Sequence, residues 1–329
     1  MFPIQRNRRL RTNEAIRSII RETTISPNDF LVPLFVVEGK GIKEEIISMP
    51  NYYRYSLDKL KNEVKMLWNL GLKSVLLFAK VKDVLKDNKG TEALNPNGLM
   101  QRAIKTVKDV CPDMLVMTDV ALDPYSSYGH DGIVENGKIS NDITVEVLAK
   151  MSVSHAQAGA NFVAPSDMMD GRVLKIRKAL DQSNLIDIGI MSYSAKYASA
   201  FYGPFREALD SAPINMADVP KNKKTYQMDF ANRNEAIKET QMDINEGADI
   251  VMIKPGLSYL DIVRDIRNTF NIPIAVYQVS GEYAMLKAAA EKGWLDYNAV
   301  MLEQITSIKR AGADIITSYF AKDVVALLS

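Results

Sequence analysis

Short apolar runs that are rich in β-branched residues recur along the whole chain. They do not alternate strictly with polar residues, which is typical of strands that are buried on both faces of a parallel sheet. The pattern predicts eight strands: Phe30–Val37, Ser74–Phe78, Met114–Met117, Phe162–Ala164, Asp187–Met191, Asp249–Ile253, Pro273–Tyr277 and Asp314–Thr317.

Amphipathic stretches with helical spacing lie between these runs. The clearest six are Leu57–Leu70, Asn97–Val110, Thr144–Ala158, Arg233–Glu246, Tyr259–Asn268 and Tyr297–Ala311. A glycine just before the next strand ends several helices, because it accepts a left-handed turn. These glycines are Gly71, Gly159, Gly247 and Gly312. The repetition predicts about eight β-α units.

This count predicts an α/β fold, a (β/α)8 TIM barrel with an extended N-terminal arm. A doubly wound sheet is the alternative, but no G-x-G-x-x-G follows the first strand, which weakens its dinucleotide-binding version. We expect residues 1–29 to form an arm that makes oligomer contacts and residues 30–329 to form one catalytic barrel. The long, poorly patterned connection over residues 197–226 is the expected active-site lid.

The start of the chain is rich in arginine, as organelle transit peptides are. Glu14 and Glu22 interrupt the basic run, and helical-looking sequence follows without an evident cleavage zone. We therefore expect an ordered arm rather than a targeting segment.

Composition excludes several classes of protein. The 329 residues carry 41 Lys+Arg against 40 Asp+Glu, a net charge of +1, which argues against nucleic-acid binding. A hydrophobic content of 47% is that of a globular protein, and no apolar run approaches the ~18 residues that span a membrane. Cys111 is the only cysteine, so no intrachain disulfide and no four-thiolate zinc site can form. We expect a cytoplasmic protein.

Two lysines stand where barrel strands meet the catalytic mouth. Lys254 ends the strand that begins at Asp249, and Lys196 follows the strand that ends at Met191. A structural ion pair with a neighbouring carboxylate explains such a lysine as well as catalysis does. The chemistry that needs a lysine here is imine formation. A free lysine is only about 0.04% neutral at pH 7, and burial beside a second lysine lowers its pKa.

Acidic residues follow the third and fourth strands. Asp119, Asp123, His130 and Asp131 follow the third, where the two later aspartates can bind an amine or a hard cation such as Mg²⁺. Turn chemistry is the other interpretation, and for Asp131 alone it is the favoured one. Ser166, after the fourth strand, can bind a substrate amine or cap the next helix. His155 we expect to be packed in a helix.

Four motifs resemble those of the porphobilinogen synthase (5-aminolevulinate dehydratase) family. They are VAPSDMMDGR (Val163–Arg172), SYSAKYASAFYGPFR (Ser192–Arg206), MIKPGLSYLDIVR (Met252–Arg264) and YQVSGEY (Tyr277–Tyr283), and the match runs from Arg8 to Phe320. The resemblance implies condensation of two 5-aminolevulinate molecules to porphobilinogen with loss of two waters, in tetrapyrrole biosynthesis. It also implies a homo-oligomer, an octamer in which the arm wraps a neighbouring subunit.

The resemblance also implies roles for single residues. Lys254 forms a Schiff base with the first substrate, and Lys196 holds the second. The remaining substrate contacts are Arg206 and Lys223 on the second carboxylate, Ser280 and Tyr319 on the first carboxylate, and Asp119 and Ser166 around its amine. Lys223 stands where many members carry arginine, so a bidentate contact becomes a point-charge contact.

The metal pattern departs from that of the zinc-dependent members. Those members carry three cysteines where this chain has Ala121, Asp123 and Asp131, so a catalytic triple-thiolate zinc site is excluded. The chain resembles the aspartate-rich, magnesium-using branch, in which Glu239 matches a ligand of an allosteric Mg²⁺. Whether Asp123 and Asp131 bind metal or the substrate amine stays open. No organic cofactor is expected.

Two other functions compete with this interpretation. A class I Schiff-base aldolase on the same barrel needs one imine lysine and does not explain the second lysine or the Asp123/Asp131 loop. A non-catalytic barrel that serves as an oligomeric scaffold would tolerate loss of Lys254, and borohydride would trap nothing on it.

Overall fold

The computed structural model describes residues 2–328 and forms a closed barrel of parallel strands surrounded by helices. The strands in these residues are β1 (Phe30–Val37), β2 (Lys43–Glu45), β3 (Tyr53–Tyr55), β4 (Ser74–Lys80), β5 (Leu115–Val120), β6 (Ile133–Glu135), β7 (Lys138–Ser140), β8 (Phe162–Pro165), β9 (Gly189–Lys196), β10 (Ile250–Lys254), β11 (Ile274–Gln278) and β12 (Ile315–Ser318).

The helices of the same residues alternate with the barrel strands. They are α1 (Glu14–Ile19), α2 (Leu57–Asn69), α3 (Leu99–Val110), α4 (Asn141–Gln157), α5 (Arg172–Gln182), α6 (Gly203–Leu209), α7 (Asn234–Glu246), α8 (Leu260–Thr269), α9 (Ser280–Glu291), α10 (Tyr297–Ala311) and α11 (Ala321–Leu328). None of these helices is both long enough and apolar enough to cross a bilayer.

The barrel order is β1-β4-β5-β8-β9-β10-β11-β12, and β12 pairs back onto β1. Phe30 is the register partner of Ile316, and Leu31 that of Thr317, both in parallel orientation. This closure excludes the doubly wound alternative, because an open sheet has two unpaired edges. The predicted (β/α)8 barrel is confirmed.

The strands and helices lie close to their predicted positions because burial dictates both patterns. Every residue of β1 is buried, as expected of a strand covered on both faces. The six predicted helices agree with α2, α3, α4, α7, α8 and α10 within a few residues at each end. Gly247 ends α7 with φ +105°, and Gly312 ends α10 with φ +132°, so both adopt the conformation for which glycine was expected.

β9 contains a bulge that the sequence pattern does not reveal. Met191 pairs with Ile250 and Ser192 with Val251, but the next pair joins Ala195 to Ile253. Three residues of β9 therefore advance opposite two residues of β10. The bulge lies next to the carboxyl end of the barrel, where such irregularities commonly re-aim side chains.

Short elements surround this barrel. Residues 2–29, which include α1, are all exposed or half-buried. β2 and β3 form an antiparallel hairpin whose second strand pairs with β1. Residues 197–226 hold the short helix α6 and then run without regular structure, although Lys223 within them is buried.

Candidate active site

Two lysines lie side by side at the carboxyl end of the barrel. Lys196 ends β9 and Lys254 ends β10, and they are register partners on adjacent parallel strands. The exposed fraction is 6% for Lys196 and 4% for Lys254. Both ammonium groups face the ring of Tyr193, at 5.8 Å and 5.1 Å from its centroid. Two lysine side chains are thus buried next to each other, away from water.

Aromatic rings surround the amine of Lys254. Its Nζ atom lies 4.4 Å from the ring centroid of Tyr277, 4.7 Å from that of Phe205 and 5.2 Å from that of Tyr202. Within residues 2–328 it makes no ion pair, so the ion-pair interpretation does not hold for this lysine. Burial, and then the positive charge of Lys196, lower the pKa of Lys254 to about 7.

Lys196 has polar partners instead. Its Nζ donates to the backbone oxygen of Ser166 and lies 3.4 Å from Oδ2 of Asp131. The two lysines therefore differ in their surroundings: Lys196 contacts Ser166 and Asp131, whereas Lys254 is isolated among rings.

Lys223 reaches the same loop from the opposite side. Its Nζ lies 2.6 Å from Oδ1 of Asp131 and 3.1 Å from Oδ2 of Asp123. Burial opposes ionisation of Asp131, but the charges of Lys196 and Lys223 outweigh it and lower its pKa to about 2. The same two aspartates outweigh burial and raise the pKa of Lys223. Asp131 is therefore more than a turn former, because it bridges two buried lysines.

Asp119 and Ser166 face each other beside this cluster. Burial, followed by the charge of Asp123, raises the pKa of Asp119 to about 7, while the Ser166 hydroxyl opposes the rise. One carboxylate oxygen of Asp119 is buried without a hydrogen-bond partner among the described residues. The helix after β8 has Gly171, not Ser166, as its N-cap, so the capping interpretation of Ser166 is wrong.

The three other predicted substrate contacts lie on neighbouring elements. The Ser280 hydroxyl accepts the backbone N–H of Phe205 at 2.9 Å. Tyr319 shares a hydrogen bond of 2.9 Å with Tyr277, a ring of the Lys254 surroundings. Arg206, in α6, is half-buried and lines a cavity of about 670 Å³ together with Lys223.

Glu239 stands apart from this cluster, on α7. It is half-buried and lines a different cavity, of about 900 Å³, with Asp170, Asp229 and Glu235. Burial raises its pKa, and the charge of Arg172 opposes that rise. No group of three metal-ligating side chains is present in the described part of the chain. A hydrated Mg²⁺ still fits this cavity, because Mg²⁺ keeps several waters and uses one or two carboxylates.

The aromatic surroundings of Lys254 were not predicted from the sequence. Tyr193, Tyr202, Phe205 and Tyr277 come from β9, the segment after it, α6 and β11. The available signal was weak, since among these rings Tyr277 alone lies at the end of a predicted strand. His155 is packed as expected, with Nδ1 3.0 Å from the Thr118 hydroxyl and a pKa lowered to about 3 by burial.

A closed barrel with two buried lysines at the carboxyl ends of adjacent strands is the arrangement of lysine-dependent, carbonyl-handling barrel enzymes. The sequence model of the delta-aminolevulinic acid dehydratase family matches residues 4–327. The chain belongs to this family.

Relatives from distant organisms support the assignment. The chain is 49% identical to the delta-aminolevulinic acid dehydratase of Synechococcus elongatus, with 100% of both chains covered. It is 51% identical to that of Methanothermus sociabilis, with 98% of each covered. A crystal structure of the Toxoplasma gondii enzyme in complex with its reaction product porphobilinogen superposes with a TM-score of 0.96. That structure is 48% identical and covers 99% of this chain and 92% of its own.

These comparisons confirm the predicted family, barrel and dehydratase activity. The enzyme is a lyase of the porphobilinogen synthase class. The aldolase and scaffold alternatives are wrong.

Proposed function

We propose that Lys254 forms the imine through which this enzyme condenses two 5-aminolevulinate molecules to porphobilinogen. The observation that carries the proposal is a buried amine with a pKa near neutrality and no carboxylate partner among the described residues. A neutral amine attacks the ketone carbon, and the carbonyl oxygen leaves as water. About half of such amines are neutral at pH 7, whereas an ordinary lysine is almost fully charged.

Lys196 holds the second substrate in this proposal, with Arg206 and Lys223 on that substrate's carboxylate. Ser280 and Tyr319 bind the first substrate's carboxylate. Asp119 and Ser166 receive its amine, which the unpaired, buried oxygen of Asp119 supports. Lys223 engages both Asp123 and Asp131, and Lys196 also pairs with Asp131, so movement of Lys223 frees Asp123 for a substrate amine and leaves Asp131 paired with Lys196.

Borohydride trapping tests the role of Lys254. Reduction in the presence of 5-aminolevulinate is expected to leave one stable adduct on Lys254, located by peptide mass spectrometry. The Lys254→Ala variant is expected to fold and to lose turnover. An adduct found only on Lys196, or substantial turnover by Lys254→Ala, contradicts the assignment.

We propose further that Glu239 binds a regulatory Mg²⁺. Three other carboxylates line the same cavity, and burial already disfavours the negative charge of Glu239, so a cation there would relieve both. Added Mg²⁺ is expected to stimulate activity and to raise the melting temperature, and Glu239→Gln is expected to abolish both effects. Equal stimulation of the variant would remove Glu239 from the metal site.

The assembly and location complete the proposal. Residues 1–29 act as an arm that wraps a neighbouring subunit, in an octamer, and residues 197–226 act as a lid over the barrel of residues 30–329. The lack of any buried residue in positions 2–29 supports a partner for the arm outside its own chain. A single cysteine is compatible with the reducing cytoplasm.

A further inference from the structure

The loop after β5 contacts the lid segment, residues 197–226, through backbone groups as well as through the Lys223 ion pairs. The backbone N–H of Ile214 donates to the carbonyl oxygen of Tyr128 at 3.2 Å. Gly129 follows with φ +68°, and a Cβ atom there would overlap the carbonyl oxygen of Ala212. The two segments are therefore packed backbone against backbone at this point.

His130 continues this contact with both ring nitrogens. It is fully buried, with Nε2 2.7 Å from the carbonyl oxygen of Pro220 and Nδ1 3.0 Å from the hydroxyl of Tyr226. A carbonyl oxygen only accepts, so Nε2 carries the hydrogen and, in the neutral ring, Nδ1 accepts from the Tyr226 hydroxyl. That hydroxyl also accepts the backbone N–H of Asp131 at 3.3 Å.

These bonds hold both sides of the short stretch that carries Lys223. Pro220 lies three residues before it and Tyr226 three residues after it. We propose that His130 and Tyr226 form a latch that keeps Lys223 at the barrel mouth while Lys223 exchanges its aspartate partners for a substrate carboxylate. The inference rests on the role proposed above for Lys223.

The ion pairs of Lys223 with Asp123 and Asp131 cannot by themselves both hold this stretch at the barrel mouth and release Lys223 to the substrate. If Asp123 and Asp131 were all that held the stretch, transferring Lys223 to the substrate would release the lid. Hydrogen bonds from the His130 ring and the Tyr226 hydroxyl survive that exchange, since neither group is a partner of the Lys223 ammonium; the backbone N–H of Tyr226 donates to the Lys223 carbonyl oxygen, which the exchange leaves in place. In this arrangement both are positioning residues, not catalytic ones.

Kinetics of His130→Ala and Tyr226→Phe test the latch. We expect KM for 5-aminolevulinate to rise about 3- to 10-fold, as for the loss of one or two hydrogen bonds. Turnover at saturation and borohydride trapping on Lys254 should stay near wild type. Trypsin should cleave faster after the exposed Lys221 and Lys224. His130→Gln retains a donor towards Pro220 and should lie between wild type and His130→Ala.

Tyr297→Phe is the matched control. It removes a tyrosine hydrogen bond to Asp323, between α10 and α11, and should lower the melting temperature without changing KM or cleavage at Lys221 and Lys224. Unchanged KM and cleavage in both latch variants would overturn the inference, and so would a parallel loss of imine trapping. Lys223→Met separates the two proposals. An unchanged KM in this variant overturns the proposed role of Lys223, whereas the rates of trypsin cleavage in His130→Ala and Tyr226→Phe test the latch.

Discussion

Lys254 is a costly residue for the folded state. In water its amine is charged, but among the rings of Tyr193, Tyr202, Phe205 and Tyr277 the charge loses its hydration without gaining a carboxylate. The nucleophile proposed above is therefore obtained at the expense of stability, as is common where function requires an unfavourable environment for a side chain.

Replacing this lysine with methionine is expected to stabilise the protein while abolishing turnover. The pKa of Lys254 falls from 10.5 to about 7 on folding, so Lys254→Met should add about 2 kcal/mol or more to the free energy of unfolding at neutral pH. Urea denaturation measures this difference. Lys178→Met, at an exposed position of α5, is the control and should change little.

The pH dependence of that gain follows from the direction of the shift. Between pH 7 and 10.5 the unfolded chain keeps the lysine proton that the folded chain has lost, so wild-type stability rises with pH in this window. The advantage of Lys254→Met should thus be largest at and below pH 7 and should shrink towards pH 10. An advantage that grows with pH would contradict the shift.

Sequence alone predicted the acidic and basic members of the site but not their pairing. Lys254 and Lys196 could be found because lysine at the end of a buried strand is unusual. That Lys223 joins Asp123 and Asp131 could not be predicted, because an irregular segment brings this lysine to the two aspartates and no sequence pattern fixes the path of such a segment. For the same reason, His130 was noted in the sequence without a role.

At the scale of elements, the hairpin β2–β3 supports α6, the helix that carries Arg206. Arg54 of β3 is buried and donates to two carbonyl oxygens near the end of α6, Ala208 at 2.6 Å and Glu207 at 2.7 Å. Glu44 of β2 pairs with the same guanidinium at 3.0 Å. Cations at a helix C-terminus also complement its dipole.

Loss of this support should loosen α6 without disturbing the imine. Arg54→Met is expected to destabilise the protein by about 1–3 kcal/mol and to raise KM several-fold, because buried carbonyl groups lose their donors. Trapping on Lys254 should persist. Arg54→Lys, with fewer donors in a less rigid geometry, should recover part of the loss. A variant with wild-type KM would show that α6 is held by its other contacts.

Elements with regular burial were predictable, whereas irregular ones were not. The strands and six helices followed from apolar runs and helical spacing. α6 was not predicted, since it is a single short helix within a proline- and glycine-containing segment. Ser192 and Tyr193 were left outside the predicted fifth strand because polar residues follow Met191, although β9 continues to Lys196.

On the scale of the whole molecule, the barrel does not depend on the arm for its core. Residues 2–29 contribute no buried side chain, and their ion pair Asp29–Lys309, at 2.7 Å, lies at the junction with β1. The barrel closes through β12 and β1 beyond this junction. Repetition of β-α units predicted the barrel, but only the register of β12 on β1 demonstrates closure.

Removing residues 2–20 should therefore separate folding from assembly. The free energy of unfolding of the truncated chain is expected to lie within about 1 kcal/mol of that of the full chain when both are compared as monomers, since surface segments contribute little to stability. Light scattering should detect a smaller particle than for the full chain. An unchanged particle mass would exclude the arm from the subunit contacts.

The bulge in β9 determines the direction in which Lys196 points. Side chains alternate between the two faces of a strand, so a residue three places after the inward Tyr193 would normally face the helices. The extra residue reverses this parity, and Lys196 turns inward beside Lys254. Deleting Ser194 would place the lysine two residues after Tyr193, so regular alternation alone would then keep it on the inward face opposite Lys254. In the chain as it stands, the side-by-side placement of these two amines thus depends on one inserted backbone unit as well as on the lysines themselves.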